Sequence, residues 1–203
     1  MDLSIAKSIF ETLYQDVQGY NLSFEARKKF EFYDRGLTYG EIVPDSFYEM
    51  LKEADPKKGE VFYDLGSGSG KAVIAAALFF PFSKAIGIEL LEDLYNGSQY
   101  VLERFKKEIQ PHLTQEIIPT IQFFHQDFLD FDFSDGDIVF AHATCFHDGQ
   151  IRRLFHKFDT LKKGARLLLV SKSISLSSFK LVKSGEYPLS WGKATLHLYE
   201  KIV

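Results

Sequence analysis

The chain opens with helical periodicity and then alternates short apolar runs with longer amphipathic stretches. Ile5, Ile9, Phe10, Leu13 and Val17 recur at helical spacing and predict an amphipathic N-terminal helix. A polar, aromatic segment covers Ser23 to Tyr33, and Asp34-Arg35-Gly36 reads as a turn. Pro44 to Ala54 predicts a helix with Pro44 near its first turn, where a missing N–H costs little. Asp55 to Gly59 is the loop that leads into the first strand, Val61 to Leu65. A helix over Lys71 to Phe80 follows, then a strand from Ala85 that ends in Glu89, then a long helix from Leu91 to Ile109 with Pro111 just beyond it. Ile121 to His125 and Asp137 to Ala141 read as the third and fourth strands. A helix over Gln150 to Leu161 is expected to end at Lys162-Lys163-Gly164, with cations and a glycine at its negative dipole end. Ala165 to Val170 is a continuous apolar run suited to the centre of a sheet.

The tail breaks the alternation. Phe179 to Val182 and Thr195 to Tyr199 read as strands with no helical pattern between them, so they are expected to pair antiparallel at one edge. The pattern therefore predicts an α/β fold: a doubly wound, mostly parallel seven-strand sheet with an antiparallel C-terminal hairpin and N-terminal helices. Residues 1–55 are expected to form the N-terminal helical segment and a lid. Residues 56–203 are expected to form the core, within one structural domain overall.

The candidate chemistry sits at the first strand–helix junction. Val61 to Lys71 is a short apolar run that carries an acid near its end, Asp64, and then glycines at Gly66, Gly68 and Gly70. Gly66 and Gly68 let the main chain turn tightly and let a ligand approach it closely. The helix beyond them points free N–H groups and a positive dipole end at that ligand. Glu89, about 20 residues further on, stands where an acid accepts hydrogen bonds from ribose hydroxyls. The unit reads as a nucleoside-binding βαβ. A dinucleotide fingerprint wants its third glycine where this chain has Lys71. The bland reading of the glycines is a tight strand–helix turn with no ligand. Beyond the third strand, Asp127 can accept from an adenine exocyclic amine and Phe128 can cover its face. Their plain alternatives are a turn acid and a core aromatic. His142, Cys145, His147 and Asp148 are grouped, but their spacing matches no common zinc pattern, so no metal is expected.

Composition narrows the class. The 203 residues are 45% apolar and 26% charged, ordinary values for a globular protein. The 20 Phe and 10 Tyr are read mainly as core packing. A single cysteine allows no intrachain disulfide and calls for no oxidising compartment. The N-terminal residues lack a signal-peptide core and no apolar run reaches a membrane span, so a cytoplasmic, intracellular protein is expected. The net charge of −4 argues against broad nucleic-acid binding, with a local basic patch still open.

Asp64-Leu65-Gly66-Ser67-Gly68-Ser69-Gly70 resembles the first motif of S-adenosyl-L-methionine (AdoMet) methyltransferases, in which the acid lies near the ligand's amino-acid end and no pyrophosphate is bound. A parallel sheet closed by an antiparallel edge pair is the architecture of that class. The span from Tyr39 to Tyr199 further resembles the non-SET histone-lysine methyltransferases of the disruptor-of-telomeric-silencing family. Tyr39-Gly40-Glu41 is similar to that family's tripeptide upstream of the first strand. Gly87-Ile88-Glu89 is similar to its ribose-binding strand end, and Gln126-Asp127-Phe128-Leu129 to its adenine-holding segment. Val170-Ser171-Lys172 and Ser190-Trp191-Gly192-Lys193 resemble two segments that line the target-lysine channel. For Trp191, the residues alone favour a core position.

The resemblance and the motif together imply AdoMet as cofactor and a protein substrate. The cofactor-contacting set they imply is Tyr39, Glu41, Ile42, Asp64, Gly66, Ser67, Gly68, Lys71, Glu89, Asp127 and Phe128, with Tyr39 to Ile42 folding over as a lid. Ser171, Trp191 and Thr144 are expected at the methyl-transfer centre. The chain departs from the family after the fourth strand. His142-Ala143-Thr144-Cys145-Phe146 stands where the family has Asn-Asn-Phe-Ala-Phe, and the second asparagine's hydrogen bonding passes to Thr144 or His142 or is lost. A basic nucleosome-binding extension is also expected to be absent. Both departures weigh against a histone substrate. The expected activity is protein-lysine N-methylation. The alternatives are methylation of a small molecule or RNA, and AdoMet binding without turnover.

Overall fold

In the computed structural model, residues 1–203 are described apart from 30, 32, 33 and 114–118. Seven strands form one sheet: β1 (Val61–Leu65), β2 (Lys84–Glu89), β3 (Thr120–His125), β4 (Ile138–Ala141), β5 (Arg166–Val170), β6 (Phe179–Leu189) and β7 (Gly192–Lys201). Their order is β3-β2-β1-β4-β5-β7-β6. The first five are mutually parallel, and β7 runs antiparallel to both β5 and β6. The order reverses between β1 and β4, and open α/β sheets bind ligands beyond the strand ends at such a point.

Both faces of the sheet are covered. Phe62, Ile138, Phe140 and Leu168 point to the face packed by α1 (Leu3–Tyr14), α3 (Pro44–Lys52), α4 (Lys71–Phe79) and α5 (Glu92–Arg104). Tyr63, Val139, Ala141, Leu167 and Leu169 point to the other, packed by α6 (Asp148–Phe158) through Leu154 and Phe158. Period-two alternation with both faces apolar is why these strands read as continuous hydrophobic runs. α4 is buried all round except at its ends, from Ala72 to Leu78, so its alanines let it lie close to the sheet. α2 (Gly19–Lys28) lies against α5 through the Ala26, Leu91 and Leu94 cluster.

Several expectations need correction. Ile5 is 54% exposed, so the buried stripe of α1 is Ala6, Phe10, Leu13 and Tyr14 instead. The helix expected to run through Ile109 loosens after Arg104 into a π turn at Phe105–Ile109 and a 3-10 turn at Gln110–His112. α6 starts at Asp148 and ends at Phe158, so Lys162-Lys163-Gly164 does not cap it. That tripeptide is the turn into β5, with Gly164 at φ 82° and its N–H donating to the Lys201 carbonyl. The edge pair is far longer than the apolar runs suggested and brings Ser190 and Trp191 to the hairpin tip. Trp191 is 43% exposed, so it is not a core tryptophan. The segment read as Ser23 to Tyr33 is helical up to Lys28, and Phe30, Phe32 and Tyr33 lie outside the described residues. Among the described residues, no helix is long and apolar enough to cross a membrane.

Phe47 anchors α3 to the sheet. It is fully buried and meets the rings of Phe62 and Phe140 edge-on at 6.3 and 5.3 Å. Phe47→Ala is expected to lower unfolding free energy by about 3–5 kcal/mol, read as a lower urea midpoint at unchanged m-value. A loss under about 1 kcal/mol would mean that the site collapses around the smaller side chain or that α3 is not docked here.

Candidate active site

The C-terminal ends of β1, β2 and β4 open onto a cleft with two lobes. The larger holds about 80 Å³ and is lined by Thr38, Glu89, Leu90, Leu91, Asp127, Phe128, Phe146 and Gln150, among others. The smaller holds about 30 Å³ and is lined by Ile42, Asp64, Ser67, Ala72 and Phe140. Tyr39, Gly40, Gly66 and His142 line both.

The glycine turn is built by main-chain geometry. Gly66, Gly68 and Gly70 all adopt positive φ (82°, 55° and 84°), which L side chains resist. Gly66 and Ser67 both donate to the Ile88 carbonyl at 2.9 Å. Glu89 then clamps the turn: its Oε2 accepts from the Gly68 N–H and its Oε1 from the Leu91 N–H, each at 2.7 Å. Burial pushes the Glu89 carboxyl upward in pKa, and those backbone donors oppose the shift. Asp64 sits in the smaller lobe, 3% exposed, with Oδ1 unpartnered among the described residues. Burial, and secondarily the charge of Glu89, raise its pKa well above the carboxylate range. On the larger lobe, Phe128 and Phe146 stack at 5.2 Å between ring centres, and Asp127 Oδ1 accepts from the Leu129 N–H.

The Tyr39–Ile42 segment lies across the cleft. Tyr39 packs its ring so closely on Gly68 that a Cβ there would fall 2.3 Å from it. Its hydroxyl bonds Ser69 Oγ at 2.8 Å and donates to Glu41 Oε1 at 3.1 Å. Glu41 Oε2 pairs with Lys71 Nζ at 2.5 Å. Ser190 Oγ donates to the Glu41 carbonyl, and Gly40 sits against the Trp191 ring.

The structure thus brings Tyr39, Ile42, Asp64, Gly66, Ser67, Glu89, Asp127 and Phe128 to the cleft, with Gly68 beneath Tyr39. Glu41 and Lys71 do not line either lobe; they are spent on each other at the start of α4. Thr144 Oγ1 and Ser171 Oγ meet at 2.9 Å, beside rather than within the two lobes. Ser171 holds a left-handed φ of 67°. Trp191 meets His142 edge-on at 5.8 Å. Sequence reasoning missed Thr38, Leu90, Leu91 and Gln150. Gln150 is placed by a reciprocal cap with His147, a pairing that falls outside the usual Ser/Thr–Glu/Gln signature. Among the described residues, no group of three or more His, Cys, Asp or Glu is placed to hold a metal ion.

The fold is shared with solved methyltransferases. The chain superposes on an RNA methyltransferase from Salinibacter ruber, solved with S-adenosyl-L-homocysteine, at TM-score 0.57 and 21% identity over 78% of this chain and 91% of that one. A tRNA methyltransferase from B. subtilis matches at TM-score 0.55 and 16% identity over 75% and 64%. The fold is therefore that of the AdoMet methyltransferase class. The family model described as "Histone methylation protein DOT1" matches residues 21–187, and the chain belongs to that family. A histone-lysine N-methyltransferase, H3 lysine-79 specific, of Dictyostelium discoideum is 32% identical over 136 residues, which is 64% of this chain and 7% of that protein. Its counterpart from Caenorhabditis elegans is 37% identical over 70 residues, 34% of this chain and again 7% of that one. The chain thus spans a small fraction of the curated relatives it matches.

Burial pushes His142 down to about 4 from its ordinary value. The unfolded chain therefore takes up this proton first as pH falls. The stability tied to the neutral ring is complete above about pH 6.5 and is lost as pH drops through the folded-state value. Urea midpoints of wild type and His142→Asn are expected to diverge between those limits, with the wild type losing on the order of 2–3 kcal/mol more. Parallel curves would show that the ring is hydrated in the folded state.

Proposed function

We propose that this chain is the core of an AdoMet-dependent protein-lysine N-methyltransferase. One observation carries the reading: two buried carboxyl groups, Asp64 and Glu89, flank the Gly66–Gly68 turn. A dinucleotide's pyrophosphate at that turn brings no cation or donor to the unpartnered Asp64 oxygen and leaves it unsatisfied. An α-ammonium or sulfonium is attracted there and satisfies the orphaned acceptor.

The residues fit the whole ligand. Glu89 uses two of its roughly four acceptor positions on backbone N–H groups and keeps the others for ribose hydroxyls. Asp127 receives the adenine amine, and the Phe128–Phe146 pair offers an apolar face. Ser67 Oγ, buried and unpartnered, gains a partner at the amino-acid end. Tyr39 and Ile42 close over the ligand. Because the lobes hold only about 80 and 30 Å³, residues 36–42 must lift for entry. Glu41 and Lys71 act by fastening that lid. Residues 1–55 thus serve as helical segment and lid to a core of 56–203.

AdoMet held by Asp64, Glu89, Asp127 and Phe128 would supply a methyl on a sulfonium, which a lysine nitrogen lone pair would take as the S–C bond gave way to a thioether. The chain's part is to align a neutral amine and keep water out. A free lysine has a pKa of about 10.4, and desolvation beside Trp191 lowers it. Thr144 and Ser171, which bond each other beside the lobes, are assigned to the polar part of the target channel in this reading. An intracellular setting, cytoplasmic or nuclear, belongs to the same proposal, since the single cysteine calls for no oxidising compartment. A labelled histone would place the protein with chromatin.

Methyl-tritiated AdoMet incubated with cell lysate is expected to label protein, recovered as methyllysine after hydrolysis. Label in RNA, which the RNA-modifying fold neighbours make the second reading, would overturn the substrate class. Label in small molecules would do the same, and no label would leave only cofactor binding. Glu89→Ala is expected to weaken AdoMet binding by about 1–3 kcal/mol in calorimetry. NAD binding tighter than AdoMet would overturn the cofactor assignment.

A further inference from the structure

Resting on the cofactor reading above, we infer that His142 contacts the substrate: its imidazole accepts a hydrogen bond from the target amine and turns the nitrogen lone pair toward the transferred methyl. The placement follows from the two lobes. The lobe with Glu89, Asp127 and Phe128 takes the adenosine end, and the lobe with Asp64 and Ser67 takes the amino-acid end. The sulfonium joins those ends, so it lies where the lobes meet. Four residues line both: Tyr39, Gly40, Gly66 and His142. The two glycines offer no side chain, and the Tyr39 hydroxyl is already bonded to Ser69 and Glu41. That leaves His142, whose Nε2 is buried without a hydrogen-bond partner among the described residues.

A buried ring nitrogen with no partner costs free energy unless a ligand satisfies it. The ring is held in place by Trp191 edge-on at 5.8 Å and by Gly40, where a Cβ would come within 2.9 Å of His142 Cε1. Thr144 is the other candidate on this loop, but its hydroxyl is engaged with Ser171 and lies outside the lobes. Burial keeps the imidazole neutral, so Nε2 can accept from an amine rather than repel it. A neutral acceptor also adds no charge to stabilise the unreactive ammonium, unlike a carboxylate at the same spot. After transfer, the extra proton of the alkylated ammonium leaves to solvent. The chain thus carries an imidazole in place of the family's amide at this position.

The test uses two probes and no protein substrate. S-adenosylhomocysteine lacks the methyl, whereas sinefungin carries an amine on the carbon that replaces the sulfonium sulfur. Calorimetry on wild type is expected to show sinefungin bound more tightly than S-adenosylhomocysteine. His142→Phe is expected to reduce that preference about tenfold or more, with S-adenosylhomocysteine affinity nearly unchanged. His142→Asn, whose amide oxygen can still accept, is expected to keep most of it. If the Phe variant does not fold, His142→Ala gives the same readout. An undiminished preference in the folded variant would overturn the role of His142 and leave the cofactor reading standing. Failure of wild type to bind S-adenosylhomocysteine at all would overturn both.

Discussion

A carboxylate buried at the end of β2 organises the cleft. Glu89 receives one N–H from the glycine turn after β1 and another from the loop that opens α5. Each bond satisfies a main-chain donor that has no other partner among the described residues, and an orphaned buried N–H costs about 1–3 kcal/mol. The same carboxylate is disfavoured by its burial, so the backbone donors and the low dielectric act in opposition on it. The balance leaves an acceptor fixed in position before any ligand arrives. The turn that Glu89 holds carries Gly66, which lines both lobes, and Ser67, which lines the smaller one.

The walls of the cleft are coupled across the chain. Ser190, at the tip of the β6–β7 hairpin, bonds the main chain of Glu41, 149 positions earlier in sequence. Glu41 is tied to Lys71 at the start of α4, and Tyr39 to Ser69 in the glycine turn. The Tyr20 ring of α2 packs edge-on against Tyr39 and bonds Ser190 through its hydroxyl. The Tyr39–Ile42 segment and the hairpin tip that bears Trp191 are thus fastened to each other. Tight docking of Tyr39 over Gly68 and of Gly40 against Trp191 both depend on missing side chains.

The central strands were legible because their chemistry leaves no ambiguity. Ile138 to Ala141 is buried at every position, and a short, wholly apolar run between turn signals has few other places to go. β6 was legible only in part. Its middle, Lys180 to Ser184, is exposed, and it pairs with β7 through the backbone, which the side chains do not announce. Lys162 to Gly164 misled for a related reason: cations and a glycine punctuate a strand entry as readily as a helix end. In the site, Asp64 and Glu89 lie in the last residues of β1 and β2, and Gly66, Asp127 and Phe128 lie just beyond strand ends, so their convergence follows from strand order. Lys71 and Glu41 were expected at the ligand. Spacing along the chain does not reveal that each finds its counter-charge in the other. His142 was visible as a replaced residue and as a member of a loose His/Cys/Asp group, and its unpartnered nitrogen is a property of the packed loop.

A crystal structure with S-adenosylhomocysteine bound tests this account most directly. The expected complex has both ribose hydroxyls on Glu89, the adenine edge at Asp127 against Phe128, the amino group at Asp64 and the sulfur facing His142. A ligand seated elsewhere, or one whose amino-acid end lies in the Glu89 lobe, would contradict it.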